Sequence, residues 1–221
     1  MLTLVQENPG SYGHGGTRSK REKASGILTP MVCSLLLILF VMRLVRSLFP
    51  PYLPLYVQDM LGTAAGAPVI TGYISGIAGL ATALAGISLS RLGDSREKGL
   101  LIRDLSLVGL GISCLLVWSN SLWMFGGIYG LLFFFLGGIE PMVMSMTAER
   151  TPQENRGVLF GIQGTVGSLG WILAPMAGAF ISVHWSNRAI LWAMPVILLA
   201  NLLAVRIVRS QKEAPHAQGL E

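Results

Sequence analysis

Long apolar stretches alternate with short polar ones along this chain. Six apolar runs stand out, at about 28–58, 67–90, 99–118, 122–147, 156–183 and 188–208. Each is long enough for a helix of about 20 residues, the length needed to cross the hydrocarbon of a bilayer. The pattern predicts six transmembrane helices. Residues 1–27 are polar and Gly-rich and end in the basic cluster Arg18, Lys20, Arg21 and Lys23, which reads as a cytoplasmic tail or linker, and 209–221 as a C-terminal cytoplasmic tail. The transmembrane domain is therefore placed at 28–208.

Basic residues orient the spans, because short cytoplasmic loops collect Lys and Arg. Arg91, Arg96 and Lys98 follow the second run, Arg150 and Arg156 the fourth, and Arg206, Arg209 and Lys212 the sixth. On the other side only Arg188 is found in the connections. Both termini are expected on the cytoplasmic side of the cytoplasmic (inner) membrane.

Composition agrees with this picture. Of 221 residues 52% are hydrophobic and 12% charged, about half the charge of a soluble domain. The net charge of +5 sits in loops between apolar runs, so it argues for loop charges and not for a nucleic-acid partner. Cys33 and Cys114 lie inside apolar runs and are expected to be small buried hydrophobes. His14, His184 and His216 are isolated, and no metal-ligand spacing or cofactor motif is present. The segment Gly72-Tyr-Ile-Ser75-Gly76 superficially resembles an intramembrane serine protease motif, but no histidine lies at membrane depth to activate the serine. An enzyme is not expected.

Small residues are unevenly spread. Gly72, Gly76, Gly79, Ala83 and Gly86 in the second run, and Gly157, Gly161, Gly164, Gly167 and Gly170 in the fifth, recur at steps of three and four. Such stripes let another helix approach closely. The third and sixth runs, richer in Leu, Ile and Val, are expected to face lipid. Pro50, Pro51 and Pro54 predict a kinked or unwound outer end of the first span. The tryptophans Trp118, Trp123, Trp171, Trp185 and Trp192 read as an interfacial belt.

Charges inside the apolar runs carry the functional signal. Arg43 and Arg46 lie three apart in the first span and share a face. Glu140, in the run LLFFFLGGIEPMVMSM, is flanked by Gly137, Gly138 and Pro141. A charge at mid-bilayer costs at least ~2.5–3.5 kcal/mol, so it normally faces a partner or a cavity. Counting helical rise from the span ends makes a Glu140–Arg43 pair feasible, with Arg46 less well placed. Gln163 in the fifth span is read as either a cavity contact or a helix–helix hydrogen bond.

The loop SRLGDSREKG, the element NRGVLFG and the stretch APMAG together resemble the C-terminal half of a major facilitator superfamily transporter, closest to its drug and sugar efflux branch. Gly93, Asp94 and Arg96 match the family's cytoplasmic loop, although Ser95 follows the Asp where the family places an Arg. Arg156, Gly157, Phe160 and Gly161 match the later loop, and Ala174, Pro175 and Gly178 the element of the fifth helix. The resemblance implies an all-α membrane fold of six helices in a 3+3 inverted repeat, half of the family's full length. It implies that the first and fourth helices line a central cavity, and that the second and fifth meet the other half. The expected function is a secondary active transporter moving a small molecule by alternating access, with proton-coupled efflux, working with a second six-helix half or as a homodimer. The alternative is a non-transporting membrane subunit or truncated remnant. Glu140 would hold a proton or a cationic substrate, Arg43 and Arg46 would tune it or hold an anionic group, and Gln163 would join them. The competing reading is an ion pair that only fixes helix register. Gly72, Gly76, Gly161, Gly167, Gly170, Pro175, Gly178 and Pro141 are expected to serve packing and gating.

Overall fold

The computed structural model describes residues 28–217, apart from the side chains of Ser90, Asp94 and residues 207–217. The N-terminal tail read from the sequence therefore lies outside the described residues. Eight helices follow in order: α1 (Pro30–Leu48), α2 (Leu53–Leu61), α3 (Ala67–Ser95), α4 (Lys98–Val117), α5 (Leu122–Gly137), α6 (Ile139–Glu149), α7 (Arg156–His184) and α8 (Ala189–Ala217). Six stretches are long and apolar enough to cross a membrane, and no strand occurs among the described residues. The first span is α1 plus α2, and the fourth is α5 plus α6.

Local chemistry sets the breaks. Thr29 caps α1, its hydroxyl accepting from the Val32 N–H, and Pro30 occupies the first turn, where a missing N–H is harmless. The stripe Val32, Leu35, Leu36, Ile38, Leu39, Met42, Val45 and Leu48 faces inward. Pro50 and Pro51 cannot donate to the preceding turn, so the helix gives way to a 3-10 turn at Pro50–Tyr52 before α2 resumes. Gly62 (φ 68°) closes α2 and Gly66 (φ 81°) opens α3, both in the left-handed region that suits glycine.

The fourth span breaks at Gly138. Pro141 then falls in the first turn of α6, where it removes no helical hydrogen bond, and Glu140 lies in that same turn. The two glycines also serve packing. A methyl at Gly137 would lie 3.1 Å from the Ala85 Cβ and 3.2 Å from the Thr82 Cα, and one at Gly138 would lie 2.6 Å from the Leu89 Cβ. The bend and the approach of α3 therefore share one cause.

The second span packs chiefly on the fourth, the first on the fifth and sixth, and the third on the sixth and fourth. Exchanging spans one, two and three for four, five and six turns the two–four contact into five–one and the one–six contact into four–three. The three–six contact maps onto itself. Equivalent spans run in opposite directions because the chain alternates, so the contacts carry an inverted 3+3 repeat.

Burial departs from the sequence reading in two ways. The third and sixth spans are half enclosed by protein, whereas the second and fifth are the most open: 17% and 22% of their apolar stretches are buried, against 44–56% in the other four. Cys33 and Cys114 are exposed, not buried. Hydropathy could not reveal this, because a lipid-facing and a protein-facing position are equally apolar. The helix α3 also runs on through Asp94 to Ser95, so most of the cytoplasmic loop motif is helical.

Candidate functional site

Arg43 and Arg46 project from α1 toward the N-terminal turn of α6, and Glu140 meets both. Arg43 Nη2 donates to Glu140 Oε1, and Arg46 Nη1 donates to Glu140 Oε2 at 3.3 Å. Both carboxylate oxygens are thus engaged by arginine. Glu140 also sits in the first turn of α6, the positive end of that helix's dipole. Arg46 is a full member of this cluster, although simple rise along the helices placed it further off. The two broken helices meet at their breaks, and this shortens the distance that straight rods would leave.

Aromatic rings surround the cluster. The Arg43 guanidinium lies 4.6 Å from the centre of the Trp171 ring, and that of Arg46 lies 5.8 Å from the centre of Phe133. Stacking of this kind is worth about 0.5–2 kcal/mol, more where water is excluded. Trp171 consequently does not belong to an interfacial belt. It sits in the middle of α7, on the cavity wall, whereas Trp118, Trp123, Trp185 and Trp192 are exposed close to helix ends. Phe133 caps a column of rings formed by Phe49, Tyr56, Phe125 and Tyr129. Phe125, Tyr129 and Phe133 follow one another at steps of four on α5.

Two cavities open at the cluster. One, of ≈ 260 Å³, is lined by Arg43, Arg46, Ser47, Phe133, Glu140 and Trp171. The other, of ≈ 300 Å³, is lined by Arg46, Pro50, Ser75, Ala78, Gly79, Thr82, Tyr129 and Phe133. Arg46 and Phe133 belong to both. The sequence reading does not single out Tyr129 or Thr82, and it takes up Ser75 only to set aside a protease motif. The step-of-four aromatic spacing on the fourth span was the available signal for Tyr129. No pattern marks either hydroxyl as a cavity group.

The remaining candidates lie elsewhere. Gln163 is buried on α7 and donates through Nε2 to Thr147 Oγ1 of α6, so it ties two helices and lines neither cavity. Gly167, Gly170 and Gly178 let α7 close on α1. A methyl at Gly170 would meet the Phe40 carbonyl oxygen at 3.0 Å, and one at Gly178 the Leu48 carbonyl oxygen at 3.0 Å. Near them the Tyr52 hydroxyl donates to the Pro175 carbonyl at 2.6 Å. Gly72, Gly76 and Gly161, in contrast, face open space. The glycines that receive α3 are on α5: a methyl at Gly126 would meet Ile74 at 3.3 Å, and one at Gly130 would meet Ile77 at 2.6 Å.

Gly93 packs beside the Met142 sulfur, and Arg96 caps α3 with its N–H on the Leu92 carbonyl at 3.1 Å. The Asp94 side chain lies outside the described residues. At this same end Lys98 joins Ser145 and Glu149, binding α4 to α6. Among the described residues no group of acidic, histidine or cysteine side chains could hold a metal ion.

Comparison with known proteins bears on what this bundle is. The multidrug resistance protein MdtG of Klebsiella pneumoniae (strain 342) is 27% identical over 209 residues, which cover 91% of this chain and 49% of that protein. The protein of the same name from Enterobacter lignolyticus (strain SCF1) is 27% identical over 210 residues, with 91% and 49% covered. The chain spans about half the length of the curated relatives it matches. The family model described as Major Facilitator Superfamily matches residues 25–221. With six apolar helices in a self-exchanging arrangement and a match over nearly its whole length, this chain is a multi-pass membrane protein and belongs to the Major Facilitator Superfamily.

Proposed function

We propose that this chain forms one six-helix half, resembling the C-terminal one, of a secondary active transporter. In this reading it moves a small molecule across the cytoplasmic membrane by alternating access, as proton-driven efflux, with both termini on the cytoplasmic side. It is a carrier and not an enzyme. The observation that carries the reading is the Arg43–Glu140–Arg46 cluster in a cavity lined by spans one, four and five, which shares Arg46 and Phe133 with a neighbouring cavity bordered by span two. Ionisable groups at membrane depth are costly, and they are characteristic of substrate and ion paths. The relatives are named for multidrug resistance, which supports efflux as the direction.

Spans two and five, the least covered helices, are the docking face for a second six-helix half, supplied by another chain or by a second copy. Gly72, Gly76 and Gly161 lie on this face with room for a close neighbour. Glu140 carries the proton or meets the substrate, and Arg43 and Arg46 hold it in place. The end of α3, with Gly93, Asp94 and Arg96, serves as the cytoplasmic latch. Pro141 and Pro175 serve packing and gating.

The test is transport by the purified full chain in proteoliposomes under an imposed pH gradient. Substrate-driven proton movement is expected with the native chain and is lost in Glu140→Gln. Unchanged proton flux in that variant removes Glu140 from the mechanism. A particle holding a single copy that moves nothing would support the alternative of a non-transporting subunit.

A further inference from the structure

The charges of the cluster do not balance. Two guanidinium groups face one carboxylate, and Glu140 is the sole acid lining either cavity among the described residues. Both of its oxygens already accept from arginine. The unused capacity lies on the donor side. Each guanidinium has five N–H groups and no acceptor, and the Nε atoms of Arg43 and Arg46 are buried with no hydrogen-bond partner among the described residues. A buried donor left unpaired costs about 1–3 kcal/mol. A ligand that supplies acceptors pairs instead with the part of each side chain that stays open, 21% of its surface. A cation would have to displace an arginine from Glu140 and then sit beside two positive groups.

The surroundings suit an anion with an apolar body. Trp171 and Phe133 form flat walls against the two guanidiniums. The second cavity lies on the other side of Arg46 and Phe133, lined by Tyr129, Ala78, Gly79 and Pro50, and with the hydroxyl-bearing Ser75 and Thr82 at its side. A carboxylate or sulfonate head placed on Arg43 and Arg46, where planar oxyanions pair with guanidinium forks, directs its body into this second space. We infer that the site takes a small amphipathic organic anion, with Arg43 and Arg46 as the head-group ligands, Trp171 beside the head, and Phe133 and Tyr129 as the walls of the body. This rests on the reading of the cluster as the substrate site. It assigns that site an anionic ligand in place of the cation that Glu140 alone would suggest.

Two probes of matched shape and opposite charge decide it: naphthalenesulfonate and naphthyltrimethylammonium. Equilibrium binding of each to the full chain is measured by calorimetry in nanodiscs of phosphatidylcholine, and again with phosphatidylglycerol added. The sulfonate is expected to bind and the ammonium not to. Glu140→Gln frees the arginines and is expected to tighten the sulfonate several-fold, whereas a cation site would lose its ligand. Arg46→Met weakens the sulfonate about tenfold or more, the loss of one charge-assisted contact, and Arg46→Lys restores part of it. Preferred binding of the ammonium overturns the inference, as does a weaker sulfonate in Glu140→Gln. Complete competition by phosphatidylglycerol also overturns it, in favour of a lipid head group. Binding is read on protein that is not turning over. A chain that binds the sulfonate but moves nothing therefore contradicts only the transport reading, and a chain that transports only cations contradicts only this inference.

Discussion

Gly170 of α7 lies so close to α1 that a methyl group there would stand 2.9 Å from the Cβ of Arg43. The next neighbours are the Phe40 carbonyl oxygen at 3.0 Å and the Leu44 nitrogen at 3.4 Å, which are backbone and cannot turn aside. Gly170→Ala must therefore part the two helices. We expect a loss of about 1–3 kcal/mol, the usual cost of overpacking. Thermal unfolding in detergent checks this. Because Arg43 moves with α1, the same variant is expected to weaken ligand binding at the cluster, whereas a melting point equal to the native one would show that the contact is looser than described.

Gly76 offers the opposite case. Nothing lies within 4 Å of a methyl placed there, so Gly76→Leu is expected to leave the melting point of the isolated chain unchanged within about 0.5 kcal/mol, as at an uncrowded surface site. If the face of α3 meets a second six-helix unit, the larger side chain separates the two. Particle mass in detergent, measured for both proteins, is the readout. Equal masses would dismiss this face as the contact.

Arg43 and Glu140 should be coupled. The pair is partly buried, 21% and 16% exposed, and pairs in contact show coupling of about 0.5–3 kcal/mol. Arg43→Met and Glu140→Gln are each expected to lower stability, and the double variant to recover part of the loss. Additive losses in a double-mutant cycle would mean that the two groups do not stabilise one another. Glu140→Gln alone leaves two arginines facing each other and is expected to be the more damaging single change.

Deep in the bundle Asn201 of α8 donates to Ser106 Oγ of α4 at 3.0 Å, with both residues fully buried. Ser106→Ala leaves the Asn201 amide without this partner, and a cost of about 1–2 kcal/mol is expected. Replacing both, Ser106→Ala with Asn201→Leu, should be near neutral. A double variant as unstable as the single one would show that shape, and not the hydrogen bond, holds α4 to α8.

The sequence showed what apolarity and charge can show. Six spans were legible because no other use exists for runs of that length. The break at Gly138 and the Glu140–Arg43 meeting were legible because glycine, proline and ions in hydrocarbon each have few tolerated settings. What faces what was much less legible. Cys33 and Cys114 look like interior residues, and Gly76 looks like a packing residue, because lipid and protein offer similar apolar surroundings. Trp171 was assigned to the interface by residue type, although its place midway along α7 argued against that. Ser75, Thr82 and Tyr129 share a cavity with Arg46 only through the packing of α3 on α5, which no local pattern encodes.

Spans one and four, exchanged by the repeat, are both broken, and α1 and α6 share an end of the molecule, where Arg150 reaches the Met31 sulfur at 3.1 Å. On that storey the broken ends are riveted by charge. On the other, α2 and α5 are riveted by rings, with Tyr56 and Phe125 4.7 Å apart. The bundle is thus built in two storeys that meet along a seam through Phe49 and Gly138, and Arg46 over Phe133 joins them there. Four unbroken helices, α3, α4, α7 and α8, run past this seam, so the two storeys are splinted together and the ligand cradle lies where only spans one and four are interrupted.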